Sequence, residues 1–290
     1  MIDAERAMII ASETEPQRAP ASGAFRRLLA TWFFRPPAGS LKTVPPAVRA
    51  VNFLAALTLI LVALWFSLAR MDYHWNWPLV FRRWKFFTDG WLMTLAMSSL
   101  ALVGSTLVGM CFAFAGRARF LPLRFVSKIY VELVRGTPLL VQIFIAYYGV
   151  ANALRIGNGY LVGGVTLSIF GGAYISEIIR AGIESIGRSQ LDSARAIGLT
   201  PAQTYRYVIF PQAIRQILPP LAVQFVALIK DSSLLSVVAI NEFTFQAKMV
   251  SDNTYSPLEA YLPLAAGYLL LTLPISFLTR HLEERHRFET

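Results

Sequence analysis

The chain has 290 residues, 55% of them hydrophobic and 15% charged, with a mean hydropathy of +0.50, which excludes an ordinary soluble domain of this length. The formal charge of +10 would suit a nucleic-acid partner, but the Lys and Arg residues gather between apolar runs, so the charge reads as membrane topology with no nucleic acid implied.

Residues 1–49 mix acids, Arg, Pro and Ser without an apolar period and read as a flexible cytoplasmic tail. Six apolar runs follow, at 50–69, 90–116, 130–153, 160–183, 216–240 and 259–280, each long enough to cross roughly 30 Å of hydrocarbon. The first lies too deep in the chain for a cleaved signal and reads as an extra N-terminal span. Segment 70–89 connects it to a core domain at 90–281, and 282–290 forms a second cytoplasmic tail. Backbone amides find no water in lipid, and a barrel would show alternating segments of about ten residues, so the expected fold class is all-α, a polytopic helical membrane protein.

With the N-terminus in the cytoplasm, that side receives Arg117, Arg119, Arg124 and Lys128, then Arg188, Arg195, Arg206 and Arg215, then Arg280, Arg285 and Arg287 near a cytoplasmic C-terminus. Arg82, Arg83 and Lys85 break the rule, lying outside beside Trp75, Trp77, Trp84 and Phe86, as an interfacial amphipathic stretch would. The single cysteine, Cys111, sits in an apolar run and reads as a buried thiol without a disulfide or metal role. His74, His281 and His286 form no spaced ligand set, and neither a phosphate-binding glycine loop nor a nucleophile elbow occurs. No catalytic residue, metal site or bound cofactor is therefore expected on this chain.

The most informative stretch is the polar insertion from Arg188 to Pro211, inside a loop at 184–215. Gly198 suits the left-handed residue that ends one short helix. Thr200, Pro201 and Gln203 supply a cap, a first-turn proline and a capping box for the next. Pro211 is expected to interrupt that second helix. The stretch resembles the EAA loop of ABC importer permeases, whose scheme is Glu-Ala-Ala, three residues, Gly, nine residues, Ile, any residue, Leu-Pro. Asp192, Ser193, Ala194, Gly198, Val208, Phe210 and Pro211 keep every spacing, with Asp for Glu, Ser for Ala, Val for Ile and Phe for Leu.

A second stretch, Glu132 to Gln142, looks like the Glu-x-x-Arg-Gly-Thr-Pro signature of polar amino-acid permeases, and the segments from Gly172 to Ser185 and from Lys230 to Ser236 agree with that branch. The likeness spans residues 88–281. It implies a permease subunit of an ATP-driven amino-acid importer in the bacterial cytoplasmic (inner) membrane. The implied partners are an ABC ATP-binding subunit that uses the ATP, a second permease subunit, identical or related, and an extracytoplasmic solute-binding protein. Coupling to the ATPase would fall to Asp192, Ser193, Ala194, Arg195, Gly198 and Pro211.

The charged residues within the apolar runs are candidates for the translocation path or its gating. Glu132 and Arg135 are three apart, as are Glu177 and Arg180, so each pair shares a helix face and can instead neutralise itself. Lys230 and Asp231 interrupt the run from Ile217 to Ile240 and, being adjacent, point about 100° apart. Each costs at least ~2.5–3.5 kcal/mol to place in lipid, so they should face protein, water or a zwitterionic solute, unless the helix is short enough to leave them at the interface. Rival readings are an importer of another small polar solute such as an opine or cystine, a membrane-embedded lipid enzyme, and a passive channel.

Overall fold

The computed structural model describes residues 45–286, so the tail assigned to 1–49 lies almost wholly outside the described residues. The chain divides into two units, Met1–His74 and Trp75–Thr290. In the first, α1 (Pro46–Ala69) fills the first expected span, opened by a proline whose missing N–H is not needed there; it carries no buried residue.

The second unit begins with α2 (Trp77–Phe81), α3 (Trp84–Ala115), α4 (Leu121–Gly136) and α5 (Leu139–Phe144), the last extended by a π-helical turn, Ile145–Ala151. Then come α6 (Gly159–Glu184), α7 (Arg188–Ala196), α8 (Pro201–Thr204), a π-helical turn Tyr205–Ile209, and α9 (Phe210–Asp231). A 3₁₀ helix, Ser232–Val238, leads to α10 (Phe243–Thr254) and α11 (Pro257–His286). Among the described residues there is no strand. Five helices among the described residues are long and apolar enough to cross a membrane, or six if the bent pair α4–α5 counts as one span. The fold is an all-α, polytopic membrane bundle.

Three local features depart from the expected outline. The helix expected from 90 begins at Trp84, because Lys85, Thr88 and Asp89 are too polar for a hydropathy window yet continue a helix without strain. The run expected as one span at 130–153 is broken, α4 and α5 meeting at 108°. Pro138 lacks an N–H and drives Thr137 into the extended region (φ −121°, ψ 146°), and Gln142 Nε2 then donates to the freed Val134 carbonyl at 2.7 Å. Pro211, by contrast, does not interrupt its helix, since Pro201–Val238 runs through as one element of 38 residues. The π turn at Tyr205–Ile209 shifts the carbonyls that the proline ring would otherwise strike.

The core is set by α3 and α6, which run parallel through a seam of small residues. Gly104 faces Ser168, Ser105 faces Gly171, and Gly109 faces Ile175 and Gly172. Ser105 Oγ donates to the Leu167 carbonyl at 3.4 Å across the same seam. Lipid gives no hydrophobic drive for helix association, so close backbone approach and interhelical hydrogen bonds hold such pairs together. A Cβ at Gly109 would sit 2.6 Å from Ile175 Cγ2 and 3.0 Å from the Gly172 carbonyl oxygen. Gly109→Val is therefore expected to cost about 1–3 kcal/mol of bundle stability, read as lost membrane abundance and a lower melting temperature in detergent. Cys111, expected to be buried, is exposed. It lies two residues beyond Gly109, about 200° around the helix from the seam.

The end of the bundle opposite the 184–215 loop has a second cluster, in which Phe87 packs edge-on against Phe243 at 6.3 Å and Val80, Ala247, Val250 and Ala260 close around them. Between the two ends, Met97, Leu167, Phe170, Leu235 and Val238 join α3, α6 and the 3₁₀ segment.

A braced loop beside a charged cavity

The loop from α6 to α8 has the local structure its residues dictate. Gly198 stands at φ +77°. Its N–H donates to the Arg195 carbonyl and that of Leu199 to the Ala194 carbonyl, both at 3.0 Å, the paired pattern that closes a helix through a left-handed glycine. Thr200 Oγ1 accepts from the Gln203 N–H at 3.3 Å, and Gln203 Oε1 accepts from the Thr200 N–H at 2.9 Å, so the capping box is complete. Ala194, 3% exposed, is the buried residue of α7. Asp192, Ser193 and Arg195 point outward, the two charged groups 3.4 Å apart, and Pro211 is exposed just beyond the π turn. The result is a short, stiff, polar element with its own internal bracing.

Next to this loop lies a cavity of about 850 Å³, lined by the ends of α3 and α6 and the inner face of α4. It gathers Glu132, Arg135, Glu177 and Arg180, four of the six charges singled out in the sequence. Their pairing differs from the expected one. Arg135 approaches Glu177 across the helices at 3.8 Å and lies over the Tyr174 ring at 5.4 Å, while Glu132 makes no ion pair with Arg135. α4 is held beside α6 by the Tyr130 hydroxyl on the Ile169 carbonyl, so Arg135 meets Glu177 of the neighbouring helix. Arg180 forms charge-assisted hydrogen bonds to both Glu177 and Glu184, so the Glu177–Arg180 pair does neutralise itself, within a network that also takes in Arg135.

Lys230 and Asp231 lie outside this cavity, at the last residues of α9 where the helix tightens into the 3₁₀ segment. Lys230 is exposed and Asp231 partly buried, and among the described residues neither makes an ion pair. Below them Ser232, fully buried, donates to the Ile229 carbonyl at 2.8 Å and accepts from Ser98 at 3.4 Å.

Two carboxylates that the sequence reading passed over are the most buried charges among the described residues. Glu242, 0% exposed, caps α10 by accepting from the Thr244 and Phe245 N–H groups at 2.9 and 2.7 Å. Tyr268 donates to it at 3.1 Å and Thr94 at 3.4 Å, so one side chain ties α3, α10 and α11 together. Burial pushes its carboxyl above the usual carboxylate range, partly offset by those hydrogen bonds. Glu259, also fully buried, accepts the Asn76 N–H at the head of α2. The available signal for Glu242 was its isolation, since it is the only charge between Asp231 and Lys248.

Residues 105–288 match the family model described as binding-protein-dependent transport system inner membrane component. The chain belongs to this family. Among its relatives, a probable glutamine ABC transporter permease protein, GlnM of Bacillus subtilis, is 40% identical over 211 residues, covering 72% of this chain and 97% of that protein. The glutamine transport system permease protein GlnP of Escherichia coli is 36% identical over 220 residues, covering 74% and 98%. A crystal structure of an amino acid ABC transporter with histidines superposes with a TM-score of 0.70 at 35% identity, covering 73% of this chain and all of that one. As an inner membrane component, the protein is a non-catalytic subunit, and the loop and cavity lie inside the matched region. Family membership implies a partner ATPase that consumes ATP and a binding protein that delivers solute.

Proposed function

We propose that this protein is the permease of an ATP-driven amino-acid importer. The observation that carries this reading is the match to glutamine permeases over nearly their whole length, together with a braced loop at the spacing of the coupling element. The core domain at 90–281 forms the translocation path with a second permease subunit, identical or related. Segments 1–49 and 50–69 are an added tail and span, 70–89 is their connector and 282–290 a terminal tail. The protein sits in the bacterial cytoplasmic membrane with the coupling loop and both termini inside.

In this reading the outward face of α7, with Asp192, Ser193 and Arg195, docks on the ABC ATP-binding subunit. Ala194, Gly198 and Pro211 hold that face in place. ATP-driven closure of the ATPase pair pushes α7, and its tight join to α6 and α8 passes the movement to the bundle. The Glu177, Arg180 and Arg135 network, with Glu132 beside it, lies where α6 leaves the membrane, so it is placed to break or reform as the path opens. A solute-binding protein supplies amino acid at the opposite face. The test is uptake of a panel of radiolabelled amino acids by the chain reconstituted with its ATPase and binding protein. Uptake of amino acids that stops without ATP supports the proposal; uptake without the ATPase, or of none of the panel, rejects it.

Lys230 and Asp231 are proposed to serve the path, because two charges without ion pairs at a helix transition gain most from a zwitterionic solute or a gating partner. Lys230→Gln and Asp231→Asn are expected to lower uptake severalfold at normal membrane abundance. Unchanged kinetics in both would leave them as interfacial charges.

A further inference from the structure

The cavity beside the coupling loop holds more cations than its internal ion pairs use. Arg180 is engaged by Glu177 and Glu184, and Arg135 by Glu177 and the Tyr174 ring. Arg117, Arg124 and Lys128 line the same cavity and make no ion pair among the described residues. Arg124 and Lys128 are four residues apart on α4, so they share a face and repel one another. Glu132, a further turn along, also lines the cavity but closes no ion pair with Lys128.

The register of α4 fixes where these charges stand. Ser127 Oγ donates to the Phe112 carbonyl at 2.7 Å and the Tyr130 hydroxyl to the Ile169 carbonyl at 2.5 Å, binding α4 to α3 and to α6. Beside the cations, Leu121 and Phe125 line the cavity while remaining 58% and 61% exposed. A phosphate group would satisfy the cations, and a soluble one would leave that apolar wall uncovered. A phospholipid answers both features, because its acyl chain can lie along Leu121 and Phe125 where the helices leave the hydrocarbon. Basic pockets between membrane helices are suited to anionic headgroups for this reason.

We infer that Arg117, Arg124 and Lys128 form a binding site for the headgroup phosphate of an anionic phospholipid, whose acyl chain packs on Leu121 and Phe125. A lipid held there braces α4 against the end of α6 from which the coupling loop departs. The inference rests on the chain being a membrane permease but not on which solute it carries.

The test is native mass spectrometry of the full-length permease, titrated separately with phosphatidylglycerol and with zwitterionic phosphatidylethanolamine. The double variant Arg124→Gln/Lys128→Gln is expected to retain phosphatidylglycerol about tenfold less well, with phosphatidylethanolamine unchanged. Lys248→Gln, which removes an exposed cation on α10 remote from the cavity lining, should bind both lipids as the parent does. Equal phosphatidylglycerol retention by the double variant overturns the site. Displacement of the lipid by inorganic phosphate at matched concentration overturns the lipid assignment in favour of a soluble anion. Efficient disulfide formation between two copies through Lys128→Cys overturns it in favour of a second subunit covering the cavity. None of these readings depends on uptake, so their failure and failure of the amino-acid assignment are distinguishable.

Discussion

Gly198→Val is expected to leave the permease inserted at normal abundance while abolishing the coupling of ATP hydrolysis to uptake. The residue holds φ +77°, where a side chain with a Cβ pays about 1–2 kcal/mol, and no neighbouring atom lies within 4 Å of an added Cβ. The effect is therefore conformational and not a clash with neighbouring atoms. To relieve it, the chain must unwind the turn that carries the Gly198 to Arg195 and Leu199 to Ala194 hydrogen bonds. That frees α7 from the capped start of α8. Asn visits the left-handed region more readily than Ala or Val, so loss of coupling should rank Asn, then Ala, then Val. The measurement is membrane abundance, ATPase co-purification and solute-stimulated hydrolysis on one preparation. Full partner binding with coupled uptake in Gly198→Val would reduce the loop to a connector.

Glu242→Ala is expected to be the most damaging single change to the folded bundle among those considered. It leaves two N–H groups at the start of α10 without their acceptor in a site with no solvent exposure, and leaves the Tyr268 hydroxyl only its contact with the Thr244 hydroxyl. Each buried orphan costs about 1–3 kcal/mol, so the sum exceeds what most single substitutions remove. Glu242→Gln should be milder, because one oxygen still accepts from a backbone N–H and the Tyr268 and Thr94 hydroxyls can rotate to accept from the new amide. The two variants also separate the charge from the hydrogen bonds. Since the folded-state pKa of Glu242 is raised, its contribution is fully present below the ordinary carboxylate pKa and is lost as pH rises through the raised value. The difference in melting temperature between the parent and Glu242→Gln in detergent should therefore shrink across that window as pH increases. A difference that is flat with pH would mean that Glu242 does not titrate there.

Much of this architecture is legible in the residues because the bilayer removes alternatives. A run of about twenty apolar residues in lipid has only the helix open to it, so the helical class and the chain order of the apolar runs follow from hydropathy alone, while the break at Pro138 does not. The loop is equally local. A glycine at a left-handed position and a threonine three residues before glutamine specify their geometry within one turn of chain, which is why Gly198, Thr200 and Gln203 stand as their spacing implies. The resemblance to importer permeases rested on the same short-range spacing and holds in the family match.

Pairing between helices is a different matter, since hydropathy carries no information on which face meets which neighbour. Arg135 reaches Glu177 and not Glu132 because α4 packs beside α6, pinned there by Tyr130. Cys111 is exposed because the α3 seam follows Ser105, Gly109 and Ala113. Pro211 is absorbed by a π turn that no propensity scale marks. Glu242 is buried because three helices from distant parts of the chain deliver donors to one carboxylate, and the cavity's excess cations converge because α4 is pinned to α3 and α6 by Ser127 and Tyr130. Apart from the local π turn, each of these depends on contacts between helices distant in the chain, whose energy depends on two surfaces meeting, so tertiary packing decides it.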